Sequence, residues 1–240
     1  DKIFHVSDIH IRTLKRHREY REVFENLYNY IETHCTGNSI VVVTGDIVHS
    51  KLDMSPELIQ ILVEFFNGFT IPTVVILGNH DMNLNNMHRI DAVSPILNVI
   101  NNPNIIFIKE NGLFEVGGVV FNHMAVDVAP SEYIKASDFV ADYKIALHHG
   151  AVNTAKTDIG YEIDHGAELD IFEGCDIVML GDIHKRQTFN HKGIMISYPS
   201  SLIQQNFGEN VSNHGFLFWD INNKTFTEHN VENRYPLYQF

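Results

Sequence analysis

The sequence predicts an α/β fold built on two β-sheets. Apolar runs at 40–43 and 73–77 have the length and β-branched composition of buried strands. Stretches with apolar residues at three- and four-residue spacing alternate with these runs, which is typical of amphipathic helices. Because strand and helix alternate, we expect parallel strands joined by right-handed crossovers. Turns at Asn111-Gly112 and Gly117-Gly118 separate shorter β-rich runs and predict a second, partly antiparallel sheet.

The elements can be assigned in chain order. The apolar stripe of residues 16–34 predicts a helix that Gly37-Asn38 ends. Ser55-Pro56 is typical of the start of the next helix, since proline is favoured in the first turn. Further helices are predicted at 90–100 and 131–138. The predicted strands cover 2–7, 40–44, 73–77, 105–109, 113–116, 119–123, 144–147, 176–180, 194–197, 215–220 and 225–229.

Composition and charge narrow the class of protein. With 240 residues and 44% apolar content, the chain is expected to form one domain, 1–240. Cys35 and Cys175 lack C-x-x-C spacing, so we expect neither a disulfide nor a thiolate metal site, and an intracellular, reducing compartment. No apolar run approaches the roughly 20 residues that cross a bilayer, which argues against a membrane protein. The net charge of −13 argues against a basic nucleic-acid-binding face, unless bound cations or a partner subunit supply positive charge.

Clusters of Asp, His and Asn follow five of the apolar runs. They are Ser7-Asp8-Ile9-His10, Gly45-Asp46-Ile47-Val48-His49, Gly78-Asn79-His80-Asp81, Leu147-His148-His149-Gly150 and Gly181-Asp182-Ile183-His184. Each cluster lies where a predicted strand gives way to a loop, so the side chains can converge at one edge of a sheet. Carboxylates, imidazoles and an amide in that arrangement can hold two divalent metals, which is the chemistry of phosphate-ester hydrolysis.

The spacing within two of the clusters suits shared ligation. Alternate positions of an extended segment point the same way, so Asp8 and His10 can reach one ion, and Asp182 and His184 share that geometry. Asp46 can bridge two ions with its two oxygens. Oxygen and nitrogen ligands without thiolates favour Mn²⁺, with Fe or Zn²⁺ as alternatives.

Two further clusters contribute one donor each. Asn79 offers an amide oxygen, and His148 an imidazole nitrogen. His149 is expected to point to the opposite face of the same strand and to be structural, because adjacent strand residues face opposite ways. The segment 151–166 is polar and contains glycine, which predicts a long loop over the site.

The order and spacing of these motifs over residues 8–184 resemble the calcineurin-like metallophosphoesterase superfamily. Within it, the chain is most similar to the SbcD-type nuclease subunit of DNA-repair complexes that contain an SMC-like ATPase. The narrower likeness rests on His49 with the following 50–56 region, on the Leu-His-His-Gly run, and on Gly-Asp-Ile-His-Lys-Arg-Gln followed by residues 198–209. Two positions depart from the family pattern. The chain has Tyr-Pro-Ser-Ser for Tyr-Pro-Gly-Ser, and Asp182 where Gly-His-x-His has its first histidine.

The resemblance implies a four-layer α/β/β/α sandwich of two mixed sheets with two divalent metals, Mn²⁺ first and Fe, Zn²⁺ or Mg²⁺ as alternatives. The implied ligands are Asp8, His10, Asp46 and His184 for one ion, and Asp46, Asn79, His148 and Asp182 for the other. Asp182 either ligates through oxygen or turns away and leaves the second site weak. In the implied mechanism a hydroxide that bridges the ions attacks phosphorus in line.

The resemblance also implies catalytic roles beside the metals. His80 matches the position that protonates the leaving alkoxide or stabilises the scissile phosphate, and Asp81 is expected to orient it. His49 is the second candidate for phosphate contact, with an exposed loop histidine as the alternative. Lys185 and Arg186 follow the last ligand and are predicted to bind substrate, with a solvated surface as the alternative. Ser200 is predicted to bind substrate because the family's Tyr-Pro-Gly-Ser segment borders the active site.

The implied activity is a metal-dependent phosphodiesterase that acts on DNA as an exonuclease, with endonuclease activity as a further option. The implied partners are DNA, an SMC-like ATPase and a second copy of the chain, through helix 16–34 or segment 87–100. A capping domain and an ATPase-binding tail are expected to be absent or truncated. Two alternatives stay open: a phosphatase or nucleotide phosphodiesterase that acts on a small substrate, and a non-catalytic scaffold subunit.

Overall fold

The computed structural model describes residues 1–238 and contains two six-stranded β-sheets. The strands are β1 (Lys2–Val6), β2 (Ser39–Thr44), β3 (Thr73–Ile76), β4 (Ile105–Phe107), β5 (Gly112–Val116), β6 (Val119–Met124), β7 (Ile145–His149), β8 (Ile177–Gly181), β9 (Gln187–His191), β10 (Ile194–Tyr198), β11 (Gly215–Asp220) and β12 (Thr225–Asn230). The helices are α1 (His17–His34), α2 (Pro56–Asn67) and the single turn α3 (Ser94–Leu97). None of these helices is long and apolar enough to cross a bilayer.

Both sheets are mixed, as the sequence predicts. The first has the order β12-β11-β1-β2-β3-β4, with β1 to β4 parallel and β11 and β12 antiparallel at one side. The second has the order β5-β6-β7-β8-β10-β9, with four parallel central strands and an antiparallel strand at each edge. The predicted α/β class, with two mixed sheets and flanking helices, is confirmed.

The long helices cover the outer face of the first sheet. In α1 the buried residues recur at three- and four-residue spacing, as the stripe in the sequence predicts. In α2 the side chain of Ser55 accepts a hydrogen bond from the backbone N–H of Leu58 at 3.2 Å, and Pro56 occupies the first turn. The apolar faces of both helices therefore share one hydrophobic core with β1, β2 and β3.

Besides the core between the helices and the first sheet, the molecule has two further hydrophobic layers. Between the sheets, apolar side chains of both pack together, among them Val42, Val74, Leu147 and Trp219. The outer face of the second sheet packs against short 3-10 turns and loops, with Phe172 in the buried centre of that cluster. The flanking layer on this side consequently lacks a long helix among residues 1–238.

Two predicted helices are wrong in length or type. Within 90–100 only Ser94–Leu97 is helical, and it is preceded by a turn in which the Asp91 side chain accepts hydrogen bonds from the backbone N–H groups of Val93 and Ser94. Ile90 is 68% exposed, so the start of that segment has no core to pack against.

Segment 131–138 forms two 3-10 turns, Pro130–Glu132 and Ala136–Asp138, instead of an α-helix. The carbonyl of Ile134 accepts a hydrogen bond from the Asn122 side chain at 2.7 Å, which replaces a helical partner. Strand β9 was not predicted from the sequence. It is an edge strand whose side chains are half-buried or exposed, so it lacks an apolar run.

The strand directions bring five loops to one edge of the molecule. Thr44 pairs with Ile76 at the end of β2 and β3, and His149 pairs with Gly181 at the end of β7 and β8. The Nδ1–H of His149 donates to the carbonyl oxygen of Thr44 at 2.7 Å, so the carboxyl ends of the two sheets meet. The loops after β1, β2, β3, β7 and β8 are the ones that carry the five polar clusters.

Candidate metal centre

Asp46 lies at the centre of the converging loops. Its Oδ2 is 3.4 Å from the Nε2 of His10, and its Oδ1 is 3.3 Å from the Nε2 of His149. The backbone N–H of Asp182 donates to both carboxylate oxygens of Asp8, at 3.1 and 3.2 Å, and ties the end of β8 to the end of β1. The two oxygens of one buried carboxylate therefore face two separate groups of donors.

The first donor set consists of Asp8, His10, His184 and the Oδ2 of Asp46. The Nε2 atoms of His10 and His184 are 2.9 Å apart, and each lies 3.8 Å from the Oδ1 of Asp8. Glu209 accepts a hydrogen bond from the Nδ1–H of His184 at 2.7 Å and so fixes the orientation of that ring. Four donors from three loops thus surround one point.

The second donor set consists of the Oδ1 of Asp46, Asn79, His149 and Asp182. The Nδ2 of Asn79 donates to the Oδ1 of Asp182 at 3.1 Å, and the Nε2 of His149 lies 3.8 Å from that oxygen. Asp182 therefore faces the cluster instead of turning away from it. Its carboxylate stands at the position where the family pattern has a histidine.

Two atoms of the second set lack hydrogen-bond partners among residues 1–238 although they are buried. They are the Oδ1 of Asn79 and the Nε2 of His149. Because the Nδ1–H of His149 donates to a carbonyl, Nε2 is the nitrogen that faces the two carboxylates, and once it gives up its proton its lone pair is available to a cation. A divalent cation satisfies such a group of lone pairs, so the residues present fit a metal.

The electrostatics of the site agree with this fit. Burial opposes a charge on His184, but Glu209, Asp8 and Asp46 raise its pKa to about 9. Likewise, despite burial, the carboxylates of Asp46, Asp8 and Asp182 hold the pKa of His149 well above its ordinary value. Burial raises the pKa of Asp8 to about 6. Protons on the histidines thus balance the buried carboxylates, and metal binding would displace them.

The backbone holds the donors in uncommon conformations. Asp8, His10, Asp46 and Asp182 all have positive φ, at 52°, 49°, 52° and 94°. Left-handed conformations of non-glycine residues cost on the order of 1–3 kcal/mol each and concentrate at functional sites. Gly78 permits the close approach of β3, since a Cβ there would lie 2.2 Å from the Oδ1 of Asp46. Local backbone strain therefore accompanies the orientation of these side chains toward one centre.

The structure reverses the predicted roles of the adjacent histidines on β7. His148 turns to the other face of the second sheet, where its Nδ1 lies 2.8 Å from the carbonyl oxygen of Met124 and its ring packs between Tyr133 and Phe172. Burial there lowers its pKa to about 4. The prediction that His148 joins Asp46 is wrong, and so is the structural role assigned to His149.

As predicted, His148 and His149 point to opposite faces of the sheet. The face that points to the cluster is, however, the one that carries His149. Gly181 provides the missing signal. Opposite His149 on β8, a Cβ at position 181 would lie 2.7 Å from the Nδ1 of His149, so only glycine leaves room for that ring.

Asp81 does not orient His80. It is buried, and its Oδ1 accepts hydrogen bonds from the backbone N–H groups of Ile47 and Val48 at 2.8 and 2.9 Å. Its Oδ2 accepts another from the N–H of Gly78 at 2.8 Å. The carboxyl group thus joins the loops after β2 and β3, and its role is to support the loops that carry the donors.

Ser200 and Arg186 make internal hydrogen bonds, and Arg186 lines a small cleft beside His184. Ser200 is fully buried, has a φ of 92° and accepts a hydrogen bond from the N–H of Gly215. The guanidinium of Arg186 is buried and donates to the carbonyl oxygens of Pro199 and His229. Both side chains thus have internal hydrogen-bond partners, and their predicted roles in substrate binding stay predictions.

His80 and His49 lie beside the first donor set. The backbone N–H of His80 donates to the Oδ1 of Asp46 at 2.8 Å, and its exposed ring is 4.8 Å from that of His10. The His80 Nδ1 lies 2.8 Å from the carbonyl oxygen of His49. Arg12, which the sequence analysis did not single out, donates from Nη1 to the Nε2 of His49 at 3.0 Å. Burial and the Arg12 guanidinium lower the pKa of His49.

A cleft of about 280 Å³ opens beside the donors Asp182 and His184. It is lined by Lys185, a predicted substrate contact, and by Ile159 of the 151–166 loop. The predicted position of that loop, over the site, agrees with the structure. Glu209 lies within the 198–209 segment that carried the narrower family likeness, but no role was assigned to it from the sequence.

Comparisons with known proteins agree with the geometry. An uncharacterised protein of Acanthamoeba polyphaga mimivirus is 42% identical over an alignment of 246 positions, which covers 97% of this chain but 18% of that protein. Two solved structures share the fold at low identity. They are TT1561 of Thermus thermophilus, with a TM-score of 0.56 at 14% identity over 96% of this chain and 99% of that one, and a phosphopantetheinyl hydrolase of Mycobacterium tuberculosis, with a TM-score of 0.51 at 11% identity over 83% and 88%.

The match to a family model is more extensive than any single motif. It covers residues 1–186 and therefore includes all five polar clusters and the strands that carry them. The chain belongs to the calcineurin-like phosphoesterase family.

Proposed function

We propose that this protein is a two-metal phosphodiesterase that hydrolyses DNA as an exonuclease. The observation that carries the proposal is the position of Asp46, whose two oxygens face two separate donor sets at 3.4 and 3.3 Å. A carboxylate in that position suits a pair of divalent ions that share one ligand. The family is one of metal-dependent phosphoesterases, which gives the general reaction class.

The chemistry of the donors favours hard cations. One ion would be held by Asp8, His10, Asp46 and His184. The other would be held by Asp46, Asn79, His149 and Asp182. Mn²⁺ is our first choice because oxygen donors outnumber nitrogen donors in the second set, with Fe, Zn²⁺ and Mg²⁺ as alternatives. When bound, such ions supply Lewis-acid polarisation of the phosphate and a nucleophile at neutral pH.

His80 is the best placed side chain for proton transfer. Its Nδ1 faces the carbonyl oxygen of His49, which can only accept, so the proton of the neutral ring lies on Nδ1. Nε2 is then the ring nitrogen left for a substrate, and an N–H there can give a proton to the leaving alkoxide. The exposure of His80 allows contact with a substrate, while its backbone bond to Asp46 keeps it beside the donors.

The cations around the site suit an anionic substrate despite the net charge of −13. Arg12 donates to His49 and to the backbone of Gln205, and neither partner is acidic. Lys51 donates to the backbone carbonyl of Asn79 at 2.8 Å. With Lys185 in the adjacent cleft, positive charge is present on more than one side of the donors.

The choice of DNA rests on the resemblance to the SbcD-type nuclease subunit. From the same resemblance we propose an intracellular location and action with an SMC-like ATPase, as a monomer or a homodimer. The chain spans about a fifth of the length of the curated relative it matches, so these partners concern the whole protein in which it acts.

A small-substrate phosphatase or nucleotide phosphodiesterase is the second candidate. The net charge of −13 and the small volume of the cleft, about 280 Å³, favour it. A non-catalytic scaffold is the third. Metal content separates the scaffold from both enzymes, and substrate preference separates the two enzymes.

The test is turnover of linear duplex DNA, single-stranded DNA, mononucleotides and bis-p-nitrophenyl phosphate by the purified protein with Mn²⁺. We expect two ions per chain by elemental analysis. Asp46→Asn should lower DNA turnover at least about a thousandfold, because Lewis-acid stabilisation contributes several kcal/mol. The exposed Asp138→Asn, on the outer face of the second sheet, is the matched control. Cleavage of mononucleotides with DNA untouched would refute the nuclease, and a metal-free inert protein would support the scaffold.

A further inference from the structure

We infer that Arg12 is a positioning residue that fixes the tautomer of His49, so that His49 can act on a substrate phosphate only as a hydrogen-bond donor. The inference deepens the proposed function and rests on it for the identity of the substrate. It starts from one contact, the 3.0 Å separation of the Arg12 Nη1 and the His49 Nε2.

The contact permits one assignment of protons. A guanidinium has N–H donors and no acceptor, so Nε2 of His49 must accept and carries no proton. The neutral ring then has its proton on Nδ1. A protonated imidazole is incompatible with this arrangement, since two N–H groups would face each other at 3.0 Å.

The remaining ring nitrogen of His49, Nδ1, is buried and has no hydrogen-bond partner among residues 1–238. One ring nitrogen each of His10, His49 and His80 lies within 4.8 Å of the others, so the three rings surround a common space. A buried N–H donor without an acceptor is costly, and an anionic oxygen in that space would satisfy it.

Three histidines at this spacing can also hold a metal, but the charge nearby argues against it. The guanidinium of Arg12 touches one of the three rings, and its hydrogen-bond partners, His49 and Gln205, are not acidic. A fixed positive charge at this distance disfavours a further cation and favours an anion. The space beside His49 and His80 therefore suits a phosphate oxygen better than a third ion.

A chain of contacts fixes Arg12 and links it to the first donor set. Nη2 of Arg12 donates to the carbonyl oxygen of Gln205 at 3.1 Å, and the N–H of Gln205 donates to Glu209 at 2.7 Å. The other oxygen of Glu209 accepts from His184. Segment 205–209 thus positions a metal donor on one side and, through Arg12, a phosphate donor on the other. We therefore infer that the end of the 198–209 motif holds these two groups in place.

The direct test is ¹⁵N NMR of the ring nitrogens in the metal-free protein, with His49 assigned by the loss of its signals in His49→Gln. We expect the wild-type ring to be protonated on Nδ1 and unprotonated on Nε2. Arg12→Met should shift the ring toward the other tautomer or a mixture, and Arg12→Lys, which keeps a donor, should restore part of the wild-type signal. A wild-type ring protonated on Nε2 overturns the inference, whether or not the protein is a nuclease.

The second test is a double-mutant cycle on DNA turnover. Arg12→Met should lower kcat about tenfold to a hundredfold, with KM changed less, because one donor to the transition state becomes misaligned. In a His49→Ala background the same substitution should have no further effect. Additive losses would overturn the inference and show that Arg12 contacts substrate directly.

The control for the change of charge is Arg18→Met, at an exposed residue paired with Glu22 on α1. It should leave turnover unchanged. A wild-type protein that cleaves no phosphodiester refutes the proposed function, and the NMR measurement then still decides whether Arg12 sets the tautomer of His49.

Discussion

The two donor sets share Asp46 but are supported in different ways. In the first set, His184 is oriented by the side chain of Glu209, which lies in a loop. In the second, His149 is oriented by the backbone carbonyl of Thr44, at the end of a buried strand. A side chain can be changed without altering the fold, whereas a strand carbonyl cannot. The first set is therefore tunable by substitution, and the second is built into the junction of the sheets.

The sets also differ in their donors. The first has two imidazoles 2.9 Å apart, and the second has one imidazole with an amide and the carboxylate of Asp182. Oxygen donors suit hard cations and nitrogen donors suit borderline ones. Because this chain has Asp182 where the family pattern has a histidine, its second set carries more negative charge than the family's ligands do.

The largest effect is expected from the two histidines of β7. His149→Ala should lower phosphodiester turnover at least about a hundredfold and remove one bound ion, because it deletes the imidazole donor of the second set. His148→Ala should leave metal content unchanged and lower the free energy of unfolding by about 2–4 kcal/mol, as expected for a buried ring. Elemental analysis, turnover and urea denaturation separate the two outcomes. Loss of a metal from the His148 variant instead would reverse the assignment.

Glu209→Gln tests the side-chain support of the first set. The amide cannot hold the Nδ1–H of His184 as strongly as a carboxylate, so we expect metal affinity to fall about 10–100-fold at the first set alone. Competition with a chelating dye measures both affinities in one titration. Equal weakening of both sets would contradict the separation of their supports. Glu168→Gln, at a residue outside the donor sets, is the matched control.

Asp182→His tests the difference in donor chemistry. Restoring the family histidine should shift the preference of the second set from Mn²⁺ toward Zn²⁺. Turnover with Mn²⁺ should fall about tenfold, equivalent to about 1.4 kcal/mol of barrier. The measurement is turnover at fixed Mn²⁺ and Zn²⁺ activities. If Asp182→Ala retains wild-type metal content and activity, Asp182 is not a donor.

The last prediction concerns stability instead of turnover, at the connection of the second set to the core. His5 lies between the sheets, its Nε2 is 3.0 Å from the Thr44 hydroxyl, and burial lowers its pKa to about 3. Since the unfolded state takes up a proton below about pH 6.5, the free energy of unfolding should fall as the pH drops below that value. Between pH 6.5 and 5, one such histidine contributes about 2 kcal/mol.

The comparison for this prediction is His5→Gln, which removes the titrating ring. Urea denaturation of the metal-free protein at pH 7 and pH 5 should show a smaller loss of stability in the variant than in the wild type. His88→Gln, at an exposed position, should behave as the wild type does. An unchanged loss in His5→Gln would show that other groups control the acid sensitivity.

Much of the fold could be predicted because its strands and long helices have clear periodicity. The stripe of α1 and the Ser55-Pro56 start of α2 identified both helices that cover the first sheet. Segment 131–138 was misassigned because a tertiary contact decides it, the hydrogen bond from Asn122 to Ile134. Strand β9 was not predicted because it is defined by its pairing with β10, and its composition is not typical of a strand.

The sequence by itself determined the class of the fold and the family, and it predicted most of the polar residues that the structure brings together. Asp8, His10, Asp46, Asn79, Asp182 and His184 follow apolar runs at spacings that a strand-end site requires. Only the tertiary structure decided which of two adjacent histidines faces Asp46, because alternation gives two faces and packing chooses between them. It also decided that Asp81, Arg186 and Ser200 are occupied with internal hydrogen bonds, since partners distant in sequence supply those contacts.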